Sequence, residues 1–501
     1  MDFLYPRRER RNRIALFVSY GLVACAIGIA SVILLYQTDG YCVDKAGAVD
    51  RCGFVFVSSR PDGATIEING KRNKAQTNTK LNLRSGDYTF RLSKTGYRSW
   101  ERTIAVAGGD VQRFDYPLLV PNTLSTAVVQ QHAGGLRLAT QSPDRRWLLM
   151  ADDKSAEVFH LYDLRKPDQP QVSNLTLPLT VVTAGEGQHQ WEVVEWSSDN
   201  RHVLLAHRYA QTGAVVREYV VVDRQSAAAS RNISKDLALA PTDEPRFFDK
   251  KADTFYVYNT ESKILRTAGL DGTPLTNTQL LHVLAYKSYG DDTLLYVTDT
   301  LQAEKPTANT VGFVLRQGTR SVVVRKVAAS STPTNYLLDI ARYDGRWYVV
   351  LGTSSDKGIY VYNNPVDQPL ENSKDLPRPE RFVRVIAPTS VSFSANAQFI
   401  AAQGGGNVGL YDVENKSVYQ YALPQPLEAP QLKATWMDGH RLQYVSGGTL
   451  QVFDYDKQNQ QALVATLPSY GAFFSTDYQY VYGVQTTAAG YSVTTTPLVL
   501  Q

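Results

Sequence analysis

An uncharged apolar stretch near the N-terminus constrains this chain more than any other feature. It runs from Ile14 to Tyr36, and its 23 residues would form a helix of about 35 Å, enough to cross a hydrocarbon core of about 30 Å. Acidic Asp39 and Asp44 follow it, whereas five arginines precede it. These are Arg7, Arg8, Arg10, Arg11 and Arg13. Because positive flanks stay in the cytoplasm, we expect a single-pass anchor with its N-terminus inside and everything after Tyr36 outside.

Three other interpretations of this stretch are open. A cleaved secretory signal has a shorter apolar region and ends in small residues, whereas this one ends in Leu34-Leu35-Tyr36. A lipoprotein signal would use Leu22-Val23-Ala24-Cys25 as its lipobox, although apolar residues continue to Tyr36 instead of a polar tether. A buried soluble helix would need polar caps and an amphipathic stripe, and both are missing.

Charge and cysteine content narrow the function classes. Of the net charge of +4, residues 1–13 contribute +3, which leaves the remainder near neutral and argues against a nucleic-acid partner. Cys25 lies in the apolar stretch, and Cys42 and Cys52 lie just beyond it. Outside the cytoplasm thiols oxidise, so we expect a Cys42–Cys52 disulfide, with two free thiols as the alternative. Two cysteines without nearby histidines make a poor metal site.

Residues 53–119 alternate apolar and polar residues, which predicts a small all-β sandwich. Strands are expected at 54–57, 65–70, 81–83, 88–92, 103–106 and 112–118, separated by glycine-containing turns. The turns and strands of this segment contain Pro61, Asp62, Gly63, Ala64, Asn69, Gly70, Gly86, Tyr88, Gly96 and Tyr97. At these residues the segment resembles the PEGA domain. Asp62 replaces the usual glutamate. The resemblance implies a small β-sandwich fold and a protein of the bacterial cell envelope, and it implies no catalytic residues. The motif positions have structural explanations, such as the tight turns that Gly63 and Gly70 allow.

The PEGA-like segment is also basic. Residues 54–119 contain eleven Lys or Arg against six Asp or Glu. Next to an anchor, such a face would contact anionic headgroups or wall polymer, and a merely solvated surface is the alternative.

From Val120 to Gln501 a loose repeat replaces any long helical pattern. Each unit has an apolar strand, a polar turn, a second apolar strand and then further strands. In the first unit this turn is Ser142-Pro143-Asp144-Arg145-Arg146. We count eight units of about 48 residues, typical of propeller blades of about 40–50 residues. Seven blades is the alternative. A strand near 124–129 would complete the last unit and remove an open edge. The turns resemble those of WD-repeat-like bacterial propellers, without the Gly-His and Trp-Asp signatures.

Motifs that would carry chemistry are weak. Gly404 to Gly409 satisfies a dinucleotide-binding pattern, but a strand follows where a helix is required, so a hairpin turn is expected. His202 and His207 fall on opposite sides of one strand. The acid pairs Asp152-Asp153 and Asp291-Asp292 are candidate calcium ligands, with solvated turns as the alternative. We therefore predict no catalytic, cofactor-binding or metal-binding residues.

The sequence thus predicts a mainly β protein in five parts. They are a cytoplasmic tail (1–13), a transmembrane helix (14–36), a linker with the cysteine pair (37–52), the PEGA-like sandwich (53–119) and a β-propeller (120–501). The expected function is non-enzymatic: the propeller would bind an envelope protein or a wall glycan through loops such as 301–310 and 365–379. A self-associating structural component and an enzyme with an unrecognised channel site are the alternatives.

Overall fold

The computed structural model describes residues 6–38, 41–43, 49–272, 277–300, 310–372 and 375–500. The chain divides into two compact units, Met1–Thr123 and Leu124–Gln501. Part of the expected linker (39–40 and 44–48) lies outside the described residues, and so does most of the expected loop 301–310.

The apolar stretch lies in one helix, α1 (Pro6–Thr38). Its segment Arg13–Val32 has a mean hydropathy of 2.1 and is long and apolar enough to cross a membrane, a property that an N-terminal signal sequence shares. None of this segment is buried by the described part of the chain, and Phe17 is 77% exposed. This segment is therefore not part of a core formed by the described residues of the chain.

The first unit contains two four-stranded sheets. Its strands are β1 (Tyr41–Val43), β2 (Val49–Val57), β3 (Thr65–Ile68), β4 (Lys71–Gln76), β5 (Thr79–Arg84), β6 (Gly86–Ser93), β7 (Trp100–Val106) and β8 (Val111–Phe114). One sheet has the order β1-β2-β5 with β8 parallel to β2, and the other has the order β4-β3-β6-β7. Their apolar side chains form a core that includes Val55, Ile66, Phe90 and Trp100.

Three details of this unit differ from the prediction. Strand β1 and the first four residues of β2 lie in the expected linker, 37–52. Strand β4 was not expected because its sequence, KRNKAQ, is polar; it lies at a sheet edge, where both of its faces tolerate polar side chains. The last strand ends at Phe114 instead of Leu118. Pro117 follows closely, and proline has no N–H to donate to a ladder.

The second unit contains eight four-stranded sheets within its described residues, numbered here in chain order. The strands of the first four sheets are β10 (Leu136–Gln141), β11 (Trp147–Asp152), β12 (Val158–Asp163), β13 (Gln171–Thr176); β14 (Glu186–Trp196), β15 (His202–Gln211), β16 (Ala214–Asp223), β17 (Arg231–Asn232); β18 (Asp243–Phe248), β19 (Lys251–Asn259), β20 (Ile264–Gly269), β21 (Asn277–Leu280); β22 (Val283–Tyr289), β23 (Thr293–Thr298), β24 (Thr310–Gln317) and β25 (Arg320–Ala328). A short helix, α2 (Ile233–Asp236), follows β17.

The strands of the other four sheets are β26 (Tyr336–Tyr343), β27 (Arg346–Thr353), β28 (Gly358–Asn363), β29 (Arg381–Arg384); β30 (Ser390–Phe393), β31 (Phe399–Gly404), β32 (Asn407–Asp412), β33 (Ser417–Ala422); β34 (Thr435–Trp436), β35 (Arg441–Ser446), β36 (Thr449–Asp454), β37 (Gln461–Ala465); β38 (Phe473–Phe474), β39 (Tyr480–Thr487) and β40 (Gly490–Pro497), with β9 (Ala127–Ala133) completing the eighth sheet. Strand β9 pairs antiparallel with β40. The closing strand thus lies slightly later than the expected 124–129. Consecutive antiparallel sheets of four strands are typical of a β-propeller.

Sheets that follow one another in the chain pack against each other, and the eighth packs against the first. Successive residues of one strand therefore alternate between the two neighbouring sheets. In β11, Leu149 lies in a core shared with the second sheet, whereas Leu148 and Met150 lie in a core shared with the eighth. In β15, Leu205 faces the first sheet and Leu204 the third. Both faces of these strands are buried, which explains their continuous apolar runs.

Candidate binding face

Each sheet of the second unit passes from its first to its second strand through a short turn, and these eight segments are called the first turns. They are residues 142–146, 197–201, 249–250, 290–292, 344–345, 394–398, 437–440 and 475–479. They match the polar turns that the sequence repeat predicts.

A serine and a side-chain oxygen two residues later organise four of the first turns. The pairs are Ser142–Asp144, Ser197–Asp199, Ser394–Asn396 and Ser475–Asp477. In the last, Ser475 Oγ donates to Asp477 Oδ1 at 2.6 Å and accepts from the backbone N–H of Tyr480 at 3.0 Å. These bonds satisfy backbone groups that a tight turn leaves unpaired. The Ser-x-Asp pattern is therefore explained by turn formation.

Left-handed positions recur in the first turns, at Asn200, Asp249, Lys250, Asp344 and Ala397 as well as at Arg145 and Tyr478. Arg145 has φ 61° and Tyr478 has φ 59°, a region in which side chains are disfavoured. The guanidinium carbon of Arg145 lies 4.1 Å from the ring centroid of Tyr478. Arg145 Nη2 and the Tyr478 hydroxyl both donate to the carbonyl oxygen of Met437, at 2.5 and 3.3 Å. The first turns of the seventh, eighth and first sheets are thereby joined.

Further hydrogen bonds continue this linkage. The Thr476 hydroxyl donates to the carbonyl oxygen of Asp144 at 2.9 Å, and the N–H of Asp144 donates to Asn200 Oδ1 at 3.0 Å. The N–H of Ser198 donates to the carbonyl oxygen of Lys250 at 2.9 Å. The first turns of five successive sheets, from the seventh round to the third, therefore form one connected surface.

A cavity of about 490 Å³ lies among the first strands and first turns of the second to sixth sheets. Its lining includes Glu195, Arg246, Phe247, Lys250, Tyr286, Lys287, Tyr289, Asp339 and Phe393. A volume of this size falls within the range of ligand pockets, about 300–1,000 Å³. We call it the first-turn cavity.

Two carboxylates of the first-turn cavity tie neighbouring sheets together. Glu195, on the second sheet, accepts from the backbone N–H of Phe247 on the third at 2.5 Å and pairs with Lys250. Asp339, on the fifth sheet, accepts from the N–H of Phe393 on the sixth at 3.1 Å, and its other oxygen lies 3.2 Å from Lys287 Nζ. Both carboxylates are thus fully engaged within the chain.

The two predicted loops fall at different ends of their sheets. Residues 365–379 connect the third and fourth strands of the fifth sheet, at the same end as the first turns because antiparallel strands alternate in direction. Asp367 there accepts from Arg320 Nη1 at 2.8 Å. The other loop follows β23, at the opposite end of its sheet. Residues 301–309 and 373–374 lie outside the described residues.

His202 and His207 face opposite sides of β15, as expected. His202 lies between Asp199 and Asp223, with Nδ1 3.0 Å from the first and Nε2 3.6 Å from the second. His207 is fully buried; its Nδ1 lies 2.9 Å from Glu218 Oε1 and its Nε2 2.7 Å from His189 Nδ1. The pair therefore does not form a joint site.

The chain His189–His207–Glu218 was not foreseen, because its members lie on three different strands. Burial raises the pKa of the Glu218 carboxyl, but hydrogen bonds from His207, Thr183 and Asn232 outweigh burial and lower this pKa to about 2. Burial and the neighbouring His207 lower the pKa of His189. Glu218 is therefore an ionised carboxylate held in the second sheet.

A second histidine cluster joins the eighth sheet to the first. His132 Nε2 lies 2.6 Å from the Tyr162 hydroxyl, and its ring lies 4.0 Å from the ring of His160. His160 Nε2 in turn lies 3.1 Å from Asp152 Oδ2. Burial, then repulsion by His160, lowers the pKa of His132 to about 4.

Three of the four acids in these pairs are engaged within the protein, whereas Asp291 is exposed. Asp152 bonds His160, and Asp153 Oδ1 accepts from the N–H of Gly135 at 2.8 Å. Asp292 Oδ1 accepts from the Thr293 hydroxyl at 2.8 Å. Across the described residues, no group of three or more His, Cys, Asp or Glu side chains is placed to hold a metal ion.

Gly404 to Gly409 forms the hairpin between β31 and β32, as predicted. The register pairs Gly404 with Asn407, and Gly405 has φ 55°. No helix follows, so the phosphate-binding geometry of a dinucleotide site is missing here.

The PEGA-like motif positions lie in turns and in the core of the first unit. Gly63, Gly70 and Gly96 have φ of 69°, 75° and 86°, which glycine adopts without strain. Ala64 is fully buried, and its N–H donates to Thr77 Oγ1 at 2.9 Å. Asn69 Oδ1 accepts from the N–H of Thr89 at 2.7 Å.

The remaining motif positions have similar roles. Tyr97 is buried, and Tyr88 is half-buried in β6, the strand that Gly86 begins. Pro61 and Asp62 belong to the turn before β3, where Lys94 Nζ donates to the carbonyl oxygen of Asp62.

Cys42 and Cys52 form a disulfide with their Cα atoms 5.9 Å apart, and Cys25 is a free thiol on α1.

Solved structures similar to this chain have low sequence identity. Hsv2p of Kluyveromyces lactis is 10% identical with a TM-score of 0.39, and the match covers 66% of this chain and 98% of that one. The dihydro-heme d1 dehydrogenase NirN in complex with DHE is 15% identical with a TM-score of 0.39, covering 66% and 67%. A eukaryotic initiation factor is 11% identical with a TM-score of 0.37, covering 70% and 93%. Likeness at this level assigns no function.

The search of curated proteins found no match. Residues 52–120 match the PEGA domain family. This range agrees with the segment 53–119 that the sequence motifs outlined, and its turns and core positions are those described above. The chain therefore contains a PEGA domain, followed by a region of eight four-stranded sheets.

Proposed function

We propose that this chain is a membrane-anchored, non-enzymatic interaction scaffold whose eight sheets form an eight-bladed propeller that binds a partner protein through its first turns. The anchor would be α1, with the PEGA domain and the propeller on the outer side of the membrane. The cysteine pair beyond α1 suits an oxidising space.

Packing between the first and eighth sheets supports a closed ring of eight blades. Strand β9 is joined to β40, and Tyr482 and Tyr491 of the eighth sheet share a core with Leu148 and Tyr162 of the first. A ring buries both faces of every blade and leaves no exposed sheet at the ends of the series. This arrangement favours eight blades over seven.

The observation that carries the binding proposal is the connected surface of first turns. Hydrogen bonds hold five successive turns in place, so a partner meets a preorganised surface and ordering costs are small. Arg145 and Tyr478, residue types enriched at interaction hot spots, lie on this surface with the Arg145 guanidinium carbon 4.1 Å from the Tyr478 ring centroid.

A protein partner suits the surface better than a wall glycan. Sugar binding commonly uses exposed aromatic rings for stacking. None of the six tryptophans, all within the described residues, is exposed, and Tyr289 is the one exposed tyrosine among the described residues of the second unit. Blade packing therefore accounts for the tryptophans, and a glycan is the second candidate only.

Affinity capture with the full-length chain tests the proposal. Tagged protein in mild detergent is incubated with solubilised envelope proteins, and a captured polypeptide is then purified and rebound. We expect the Arg145→Ala/Tyr478→Ala double variant to reduce rebinding at least tenfold, since two hot-spot side chains are lost. The matched control, Gln211→Ala/Thr212→Ala, lies in the turn at the opposite end of the second sheet.

Two outcomes would contradict the proposal. Equal loss in both variants would show that the first turns are not the binding surface. Retention of wall polymer alone, with no polypeptide, would favour the glycan alternative. Circular dichroism of each variant checks that its fold is intact.

A further inference from the structure

The Arg246 guanidinium and the buried Tyr286 hydroxyl have no partner within the described part of the chain, and both residues line the first-turn cavity. Arg246 lies on β18 and is exposed, and no hydrogen bond or ion pair engages its guanidinium. Tyr286 lies on β22, and its hydroxyl is buried without a hydrogen-bond partner. Both residues line the same cavity, and both groups are hydrogen-bond donors.

The other charges of the cavity are already neutralised. Lys250 pairs with Glu195, Lys287 with Asp339 at 3.2 Å, and Asp249 with Lys251 at 3.0 Å. Glu244, on β18 beside Arg246, pairs with Arg217 at 3.2 Å. Arg246 is therefore the single uncompensated charge among the described lining residues.

Packing fixes the Tyr286 ring in position. Its centroid lies 6.1 Å from that of Tyr256 and 5.8 Å from that of Tyr258, both on β19 of the neighbouring sheet. A fixed ring presents its hydroxyl without losing rotamer freedom when a ligand binds.

We propose that the first-turn cavity receives one carboxylate of a partner polypeptide, held by the guanidinium of Arg246 and the hydroxyl of Tyr286. A carboxylate carries one negative charge, which matches the one uncompensated cation, whereas a phosphate with two charges would leave one unpaired. Guanidinium groups bind carboxylates through two parallel hydrogen bonds. The cavity volume of about 490 Å³ accommodates an aspartate or glutamate side chain with its neighbouring backbone.

This inference rests on the proposed function, and a peptide assay tests it independently of any natural partner. The full-length chain in zwitterionic nanodiscs is titrated against an immobilised hexaglutamate peptide with blocked termini; hexalysine serves as the charge control. We expect Arg246→Gln to weaken hexaglutamate binding about tenfold or more, the effect of losing a charge-assisted hydrogen bond. Tyr286→Phe should weaken it about threefold and leave thermal stability unchanged, because the hydroxyl has no internal partner.

Matched controls separate the site from general attraction. Arg384→Gln removes an exposed arginine of β29 that does not line the cavity. Tyr491→Phe removes another buried, unpartnered hydroxyl, on β40. Both should leave binding within about twofold of wild type.

Three results would overturn the inference. The first is equal weakening by Arg246→Gln and Arg384→Gln, and the second is unchanged binding in Tyr286→Phe. The third is Arg246-dependent binding of inorganic phosphate or polygalacturonate that exceeds binding of the peptide, which would assign the cavity to a phosphate or an acidic glycan. If the captured partner binds wild type and Arg246→Gln equally, the inference fails while the proposed function stands.

Discussion

In the second unit, several serine and acidic residues that look like functional motifs in the sequence form hydrogen bonds that stabilise turns. The serine and acid of a first turn satisfy backbone groups, and the acids that end several third strands do the same. Asp223 Oδ1 accepts from the N–H of Gln225 at 2.9 Å, and Asp412 Oδ1 from that of Glu414 at 3.0 Å. Polar residues at turns therefore need a contact beyond the turn before a function is assigned to them.

His132 gives a prediction at the residue scale. Its pKa of about 4 lies below its ordinary value of 6.5 because the ring is buried and faces His160, with Asp152 partly opposing. Between these two pH values the unfolded chain binds more protons than the folded chain. The free energy of unfolding should therefore fall as the pH falls from 6.5 to 4, by at most about 3 kcal/mol from this residue.

The variant His132→Gln provides the comparison. Urea unfolding of the full-length chain at pH 7 and pH 5 should show a smaller loss of stability in the variant than in wild type. Identical pH dependence in the two proteins would show that His132 titrates normally in the folded state.

At the scale of elements, close approach between neighbouring sheets dictates where glycine is required. A Cβ at Gly404 would lie 2.2 Å from the carbonyl oxygen of Ile386, a backbone atom of the segment before β30. A Cβ at Gly406, two residues along in the same hairpin, would meet nothing within 4 Å. Packing, not a bound nucleotide, therefore explains the first glycine of this run.

The pair Gly404→Ala and Gly406→Ala gives a prediction at this scale. Gly404→Ala should destabilise the protein by about 1–3 kcal/mol, because overpacking forces the backbone to shift. Gly406→Ala should change stability by less than about 0.5 kcal/mol, the usual range for surface substitutions. Thermal unfolding of both variants checks this, and equal effects would contradict the packing explanation.

At the scale of the whole molecule, the second unit depends on one contact between distant parts of the sequence. Strand β9 pairs with β40 along residues 127–133 and 490–495. Without β9 the eighth sheet would expose the ladder groups of β40, a template for pairing with other chains. The beginning and the end of this unit therefore hold each other in place.

Replacing residues 127–133 by a Gly-Ser linker of equal length tests this dependence. We expect a fall in Tm of roughly 10 °C or more and self-association on size-exclusion chromatography, because a strand and its ladder are lost. The double variant Gln130→Ala/Gln131→Ala keeps the backbone ladder and serves as control. An unchanged Tm in the linker variant would show that β9 does not close the unit.

The sequence by itself determined the features that arise from neighbouring residues. The uncharged run from Ile14 to Tyr36 predicted α1, and the glycines of the PEGA motif predicted turns in which Gly63 and Gly70 adopt positive φ. Alternating apolar residues and polar turns predicted eight repeated units, and the described residues contain eight four-stranded sheets in this region. These features depend on backbone preference and local periodicity, which a linear pattern records directly.

Only the tertiary structure decided which distant side chains meet. It brought Arg145 to Tyr478, His207 to Glu218 and His189, and Arg246 into one cavity with Tyr286. It also placed β4 on a sheet edge, although the strand lacks an apolar pattern. Such contacts depend on how neighbouring sheets pack and on the register of their strands, and residues far apart in the chain leave no shared signal in a single sequence.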